Sequence, residues 1–127
     1  RSTEPPRRLV TDQGPVLVLI SLDPRQSHRA NEAMRIGLGI VSGENEVTFV
    51  LTGPGVHLLD GDTDDLVDGD DIAKFRSNLK ALGIPFHVEE ASRPSESDWN
   101  ADGHPVRLVN AATIVDLVRA SRRVLSF

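Results

Sequence analysis

Four histidines, a crowd of aspartates and no cysteine define the chemistry open to this 127-residue chain. His28, His57, His87 and His104 are scattered and show no ligand spacing of the H-x-x-x-H kind, so they predict no zinc site. The seven aspartates between Asp60 and Asp71 invite a calcium test. Asp60, Asp62 and Asp64 fall at the first, third and fifth positions of a calcium-binding loop. However, Asp65 stands where the sharp turn needs glycine, and Asp71 is too short for the bidentate grip of a closing glutamate. Asp60, Asp62 and Asp64 are thus a weak metal candidate, and a solvated loop is the expectation. Without cysteine there is no disulfide, thiolate metal site or thiol nucleophile. A serine nucleophile has no G-x-S-x-G elbow, and Ser21 and Ser27 near His28 are a grouping that chance supplies. Glu89 and Glu90 are strand neighbours whose side chains point to opposite faces, so they do not form an acid–base pair. Gly53-Pro54-Gly55 is a turn, and with no G-x-G-x-x-G or P-loop nothing cradles a phosphate. No resident cofactor is expected.

The elements that would position these residues alternate strand with helix. Residues 16–22 are apolar on both alternating faces, as in a central parallel strand covered on each side. Asp23-Pro24 is expected to open a helix, with Asp23 or Ser27 as cap and Ala30, Ala33, Met34, Gly37, Leu38 and Val41 on one face up to a stop at Gly43. A second strand covers residues 47–51. After the acidic loop, Asp70 or Asp71 caps a second helix with Ile72, Phe75, Leu79 and Leu82 inward, closed by Gly83 and Pro85. Residues 86–89 form a third strand. The polar stretch 92–104 holds the only tryptophan, Trp99, and has room for a short helix. A fourth strand at 106–109, a helix capped by Asn110 and built on Ile114, Leu117 and Val118, and a short last strand at 124–127 complete the order. Such alternation implies crossover connections and a mostly parallel sheet. Residues 1–14, with Pro5, Pro6 and Gly14, read as a flexible arm; residues 15–127 read as one α/β domain.

Ligands of open parallel sheets bind beyond the carboxyl ends of the strands, where helix N-termini offer free N–H groups. The candidates at that rim are Arg25, Ser27, His28 and Arg29 after the first strand, His57 after the second, and Glu90 and Arg93 after the third. A small anion or a nucleotide-like molecule would suit them. The net charge of −5 comes from the acidic loop, because removing its seven charges leaves +2. No basic stripe for nucleic acid is visible, and Arg119, Arg122 and Arg123 suit the end of a helix dipole. No apolar run reaches the roughly 20 residues of a membrane span, and no signal peptide is recognisable, so a cytoplasmic protein is expected.

Three segments taken together carry a resemblance. They are the apolar strand at 16–22 with its alanine-rich helix, Glu46-Val47-Thr48-Phe49-Val50-Leu51 leading to Gly55-Val56-His57-Leu58-Leu59, and the terminal Ala120-Ser121-Arg122-Arg123-Val124-Leu125-Ser126-Phe127. Over residues 15–127 the pattern resembles the DsrE/DsrF-like, or YchN-like, sulfur-relay family. The resemblance implies a three-layer α/β/α domain on a five-stranded, mostly parallel sheet, and oligomers, commonly trimers or hexamers. It also implies a persulfide-bearing cysteine just after the third strand. Here Glu89, Glu90 or Ala91 occupies that place, and none of them can hold a sulfane sulfur, which needs a polarizable thiolate. The stretch at 92–104 departs from the helix the family has there. The expected function is accordingly a non-catalytic domain that works by assembly, with itself or beside an active paralogue, with Val56, Leu58 and Leu59 as its candidate contact patch. A ligand-binding module at the strand-end rim is the alternative. An enzyme using a rim histidine as base lacks any supporting nucleophile, metal or cofactor motif.

Overall fold

A computed structural model describes residues 14–127. The arm expected at residues 1–14 lies outside the described residues except for Gly14. That glycine is packed, since a Cβ there would strike the Ala120 carbonyl.

Five strands, β1 (Val16–Ile20), β2 (Val47–Leu51), β3 (Phe86–Glu89), β4 (Val106–Val109) and β5 (Arg123–Ser126), form one sheet in the order β4-β3-β2-β1-β5. Every pairing is parallel. The helices are α1 (Arg29–Ser42), α2 (Gly69–Ala81) and α3 (Ala111–Ala120). The chain steps one way from β1 to β4 and then crosses back to β5. Right-handed crossovers therefore put α1 and α2 on one face and α3 on the other, which makes three layers.

Strand alternation and register divide the core. Val18, Ile20, Phe49, Leu51, Phe86 and Val88 share the face under α1 and α2, where Ala30, Ala33, Met34, Ile72 and Leu79 meet them. The Phe49 and Phe86 rings tilt together at 5.5 Å between centroids. Gly37 lets α1 close on this pair, because a Cβ there would lie 2.6 Å from Phe49 Cε1. Leu17 and Val50 are buried on the opposite face.

Local chemistry moves several expected boundaries. The carboxylate of Asp23 accepts the Arg25 N–H at 2.9 Å, and the Asp23 carbonyl accepts from the N–H groups of Gln26 and Ser27, both at 3.0 Å. This closes a turn and delays α1 until Arg29, whose N–H is accepted by Ser27 Oγ at 3.1 Å. The second helix begins at Gly69, behind Asp68 in a left-handed conformation with φ 56°, ahead of the caps expected at Asp70 or Asp71. Leu82 is exposed because the helix has already ended at Ala81 and Gly83 turns the chain at φ 71°. Arg76 takes the inward position between Ile72 and Leu79. Between β3 and β4 the chain makes a 3₁₀ turn (Glu90–Ser92) and then runs irregularly, touching down through an antiparallel bridge between Trp99 and Asp60. Asn110 caps α3 as expected, its Oδ1 accepting the Thr113 N–H at 2.8 Å.

Candidate functional site

The carboxyl ends of β1, β2 and β3 lie side by side, and the segments leaving them form the rim. The segment after β2 winds into a 3₁₀ helix (Gly53–Leu59) whose apolar side chains turn inward. Val56, Leu58 and Leu59 are at most 1% exposed and belong to the core cluster. This corrects the contact patch expected from sequence: residues that fill the interior offer no surface to a second molecule. Between them His57 points outward enough to remain half-buried, and its Nδ1 lies 3.1 Å from both carboxylate oxygens of Asp60. Burial pushes the Asp60 carboxyl above its ordinary value, against the pull of His57.

Arg25, His57, Asp60, Glu96, Asp98 and Trp99 line a hollow of about 130 Å³. Ligand pockets for nucleotide-sized molecules run from roughly 300 Å³ upward, so this one is too small for that class. Its charge also disfavours an anion. Three carboxylates face one guanidinium, and that guanidinium is already engaged by Asp23 through Nε at 3.0 Å and Nη2 at 2.9 Å. The contact with Arg25 holds the Asp23 carboxyl below the ordinary value.

The other rim candidates are engaged separately. Ser27 caps Arg29, and His28 Nε2 lies 3.4 Å from Glu32. Arg29 reaches the Ser126 carbonyl at 3.3 Å and stacks 5.2 Å over the Phe127 ring, so it ties α1 to the end of β5. Glu90 and Arg93 are exposed on the 3₁₀ turn after β3 and just beyond it. Ser21 Oγ donates to the Phe127 carbonyl, so neither serine considered as a nucleophile bonds a histidine. Asp62 accepts the Asp64 N–H at 2.9 Å while Asp60 serves His57, so the weak metal candidate does not converge. Among the described residues no group of three or more acidic or imidazole side chains is placed to hold a metal ion. No helix of the described residues is long and apolar enough to cross a membrane.

At the end of β3, where the resemblance puts a sulfur-bearing thiol, Glu89 and Ser92 form a clip. Ser92 Oγ donates to Glu89 Oε1, and the Gly53 N–H is directed at both, 3.0 Å from Ser92 Oγ and 3.4 Å from Glu89 Oε1. Gly53 has φ 51°, a conformation that favours glycine, and the clip fixes it. Glu89 is half-buried, Glu90 and Ala91 exposed.

Sequence reasoning missed the strongest polar element near this rim. Arg76 is 2% exposed; its Nη1 donates to the carbonyls of Leu58 at 2.9 Å and Asp60 at 2.6 Å, and its Nη2 to Asp102 at 2.8 Å. Burial lowers the guanidinium from its ordinary value, and Asp102 opposes this. The arginine thus ties α2 to the 3₁₀ segment and to the irregular connection. The same connection is held by Trp99 Nε1 donating to the Val56 carbonyl at 2.8 Å. Asn100, at φ 54°, donates to the His104 carbonyl and accepts its N–H, closing a ring. The available signal was a charged residue at an apolar phase of the helix.

The arrangement defines a parallel five-stranded α/β/α domain whose rim is closed by side-chain clips instead of opened by a cleft. The crystal structure of the YchN protein from E. coli has this fold. It superposes with a TM-score of 0.68 over 90% of this chain and 99% of that one, at 16% sequence identity, a likeness of fold. No family model and no curated protein matches the sequence. The YchN-like architecture expected from sequence is therefore observed, in a chain without cysteine.

Proposed function

We propose that this chain is a non-catalytic YchN-like domain that acts by assembly, with further copies of itself or beside a paralogous subunit. The observation that carries the reading is the clip at the end of β3. In the place where a sulfur carrier of this type would present a thiolate, Glu89 is bonded to Ser92 and to the Gly53 N–H. A carboxylate accepts hydrogen bonds but forms no persulfide. The small, mixed-charge hollow beside His57 gives the ligand-module reading little support. Assembly has support from apolar side chains left on the surface, with Val115 46% and Val124 38% exposed.

Light scattering after size-exclusion chromatography, over micromolar concentrations, tests assembly, and pull-down with a cysteine-bearing paralogue tests the mixed form. Intact-mass measurement after exposure to a persulfide donor tests the chemistry. Oligomers or a paralogue complex, with no sulfur adduct, are expected. A strict monomer that binds no paralogue, or a protein that gains and passes on a sulfur atom, would overturn the proposal.

A further inference from the structure

The irregular connection between β3 and β4 is anchored by an ionisable side chain. From Glu90 to Pro105, His104 is the one buried residue; Ser92, Pro94, Trp99 and Asn100 are half-buried and the rest are exposed. An apolar side chain more often fills such a position. The local turn explains how an imidazole comes to occupy it. Asn100, at φ 54°, and Gly103, at φ 72°, bend the chain. The Asn100 side chain donates to the His104 carbonyl at 3.1 Å and accepts the His104 N–H at 2.9 Å. The imidazole is held inward, edge-on to Phe86 of β3 at 6.3 Å between centroids, and the residue is 6% exposed.

That niche suits a neutral imidazole. A neutral ring carries one N–H and one acceptor nitrogen, whereas a protonated ring carries two N–H groups. Among the described residues the buried Nδ1 of His104 has no hydrogen-bond partner. Whichever tautomer the neutral ring adopts, protonation puts an N–H at Nδ1 with nothing to accept it. The charged groups around the ring are Arg76 and Lys80 of α2, which oppose a further cation, and Asp102 of the connection, which favours one. From β3 it meets the uncharged Phe86 ring. The Asp102 carboxylate is already bonded to Arg76 Nη2 at 2.8 Å, and the Asp102 carbonyl accepts from Lys80 Nζ. Burial and the two cations accordingly hold His104 below the ordinary histidine value. We infer that His104 is an acid-released latch: uptake of one proton expels its ring from the niche beside Phe86, breaks the Asn100–His104 turn and frees the connection from the rim. Glu96, Asp98 and Trp99, which help to wall the hollow beside His57, belong to that connection, so its release opens the hollow. The remaining ties include hydrogen bonds from Trp99 Nε1 to the Val56 carbonyl and from the Asn100 N–H to the Leu59 carbonyl, both at 2.8 Å. A segment held in this way, with little apolar burial, opens at lower free energy than the sheet. The latch works within a single chain and does not depend on assembly.

The direction with pH follows from where the proton binds. Above about pH 6.5 the ring is neutral in the latched and the released states alike, and the latch holds. Below it the released ring binds a proton that the latched ring does not, until the latched ring titrates as well. For one proton, release therefore grows by up to about tenfold per pH unit. Hydrogen exchange of the full chain from about pH 8 to about pH 5, corrected for intrinsic exchange rates, reads this by mass spectrometry. Protection of the amides from Trp99 to His104 should fall by up to about tenfold per pH unit below about pH 6.5, while that of β1 and β2 holds. His104→Phe and His104→Gln should each abolish the fall, and two variants keep the test open where one of them folds poorly. His57, paired with Asp60 beside Trp99, is the other imidazole at the hollow, and His57→Gln should leave the fall in place. Protection that stays flat in the wild type, a fall that persists in the His104 variants, or one that vanishes in His57→Gln would overturn the latch. Loss of protection in β1 and β2 in step with the connection would mean global unfolding and would overturn it too.

Discussion

Replacing Arg76 by methionine should be among the most damaging single changes outside the apolar core. Methionine preserves much of the buried stem but deletes the three hydrogen bonds to Leu58, Asp60 and Asp102. The Leu58 carbonyl then has no water to turn to, and the Asp60 carbonyl little. Each buried acceptor left unmet costs about 1–3 kcal/mol. The Asp102 carboxylate is 53% exposed and resolvates, so its share is roughly 0–1 kcal/mol. Relief from desolvating a guanidinium offsets part of the loss, leaving a net destabilisation of about 2–4 kcal/mol. That is a large fraction of the roughly 5–15 kcal/mol typical of a domain. Urea denaturation followed by the fluorescence of Trp99 reads this directly, because the indole belongs to the connection that Arg76 holds. Asp102→Asn, by contrast, should cost under about 1 kcal/mol. An Arg76→Met midpoint equal to wild type, or an Asp102→Asn loss as large as that of Arg76→Met, would refute the carbonyl-satisfaction argument.

Other expectations are as direct. Glu89→Cys should convert the protein into one that gains a single sulfur atom from a persulfide donor in intact-mass spectra, whereas wild type gains none; the Gly53 N–H is placed to favour a thiolate there. Stability should fall as pH drops below about 6.5, the ordinary histidine value, because burial lowers His104 in the folded state, with Arg76 adding to the effect. The unfolded chain then binds the extra proton, so His104→Phe should flatten the dependence of the urea midpoint between pH 7 and 5, roughly the window of an ordinary histidine. Asn110→Ala should cost about 1 kcal/mol in the same assay through loss of the cap on α3.

How far the sequence could be read varied with the kind of signal. Strands were plain from their short apolar runs, whether central like β1 or at the sheet edge like β4: β1 to β4 lie within the expected segments, and β5 begins one residue early. Helix starts were less so, because Asp23 and Asp68 solve local hydrogen-bonding problems that a ranking of capping residues does not capture. Asp23 bends back on Arg25, and Asp68 adopts a left-handed backbone. The rim was legible as a set of residues but not as a site. Proximity to strand ends does not reveal that His28 pairs with Glu32, Arg29 with Phe127 or His57 with Asp60. The Val56, Leu58 and Leu59 run looked like a surface patch because a one-dimensional pattern cannot show a 3₁₀ segment folding inward over the sheet edge. Arg76 was invisible because a lone charge in an apolar phase is ordinarily read as noise.

The pairing of β5 with β1 joins the two ends of the domain, with Val16 beside Arg123 and the Phe127 N–H bonded to the Leu19 carbonyl at 2.8 Å. During synthesis β1 emerges early yet lacks its second neighbour until the final strand has left the ribosome. Through that interval its open flank is a template for any extended segment nearby. Contacts closing so long a loop form late and slowly. Ribosome-stalled chains ending before residue 123 should therefore be protease-sensitive and aggregation-prone, and release of the last strand should be the step that locks the sheet.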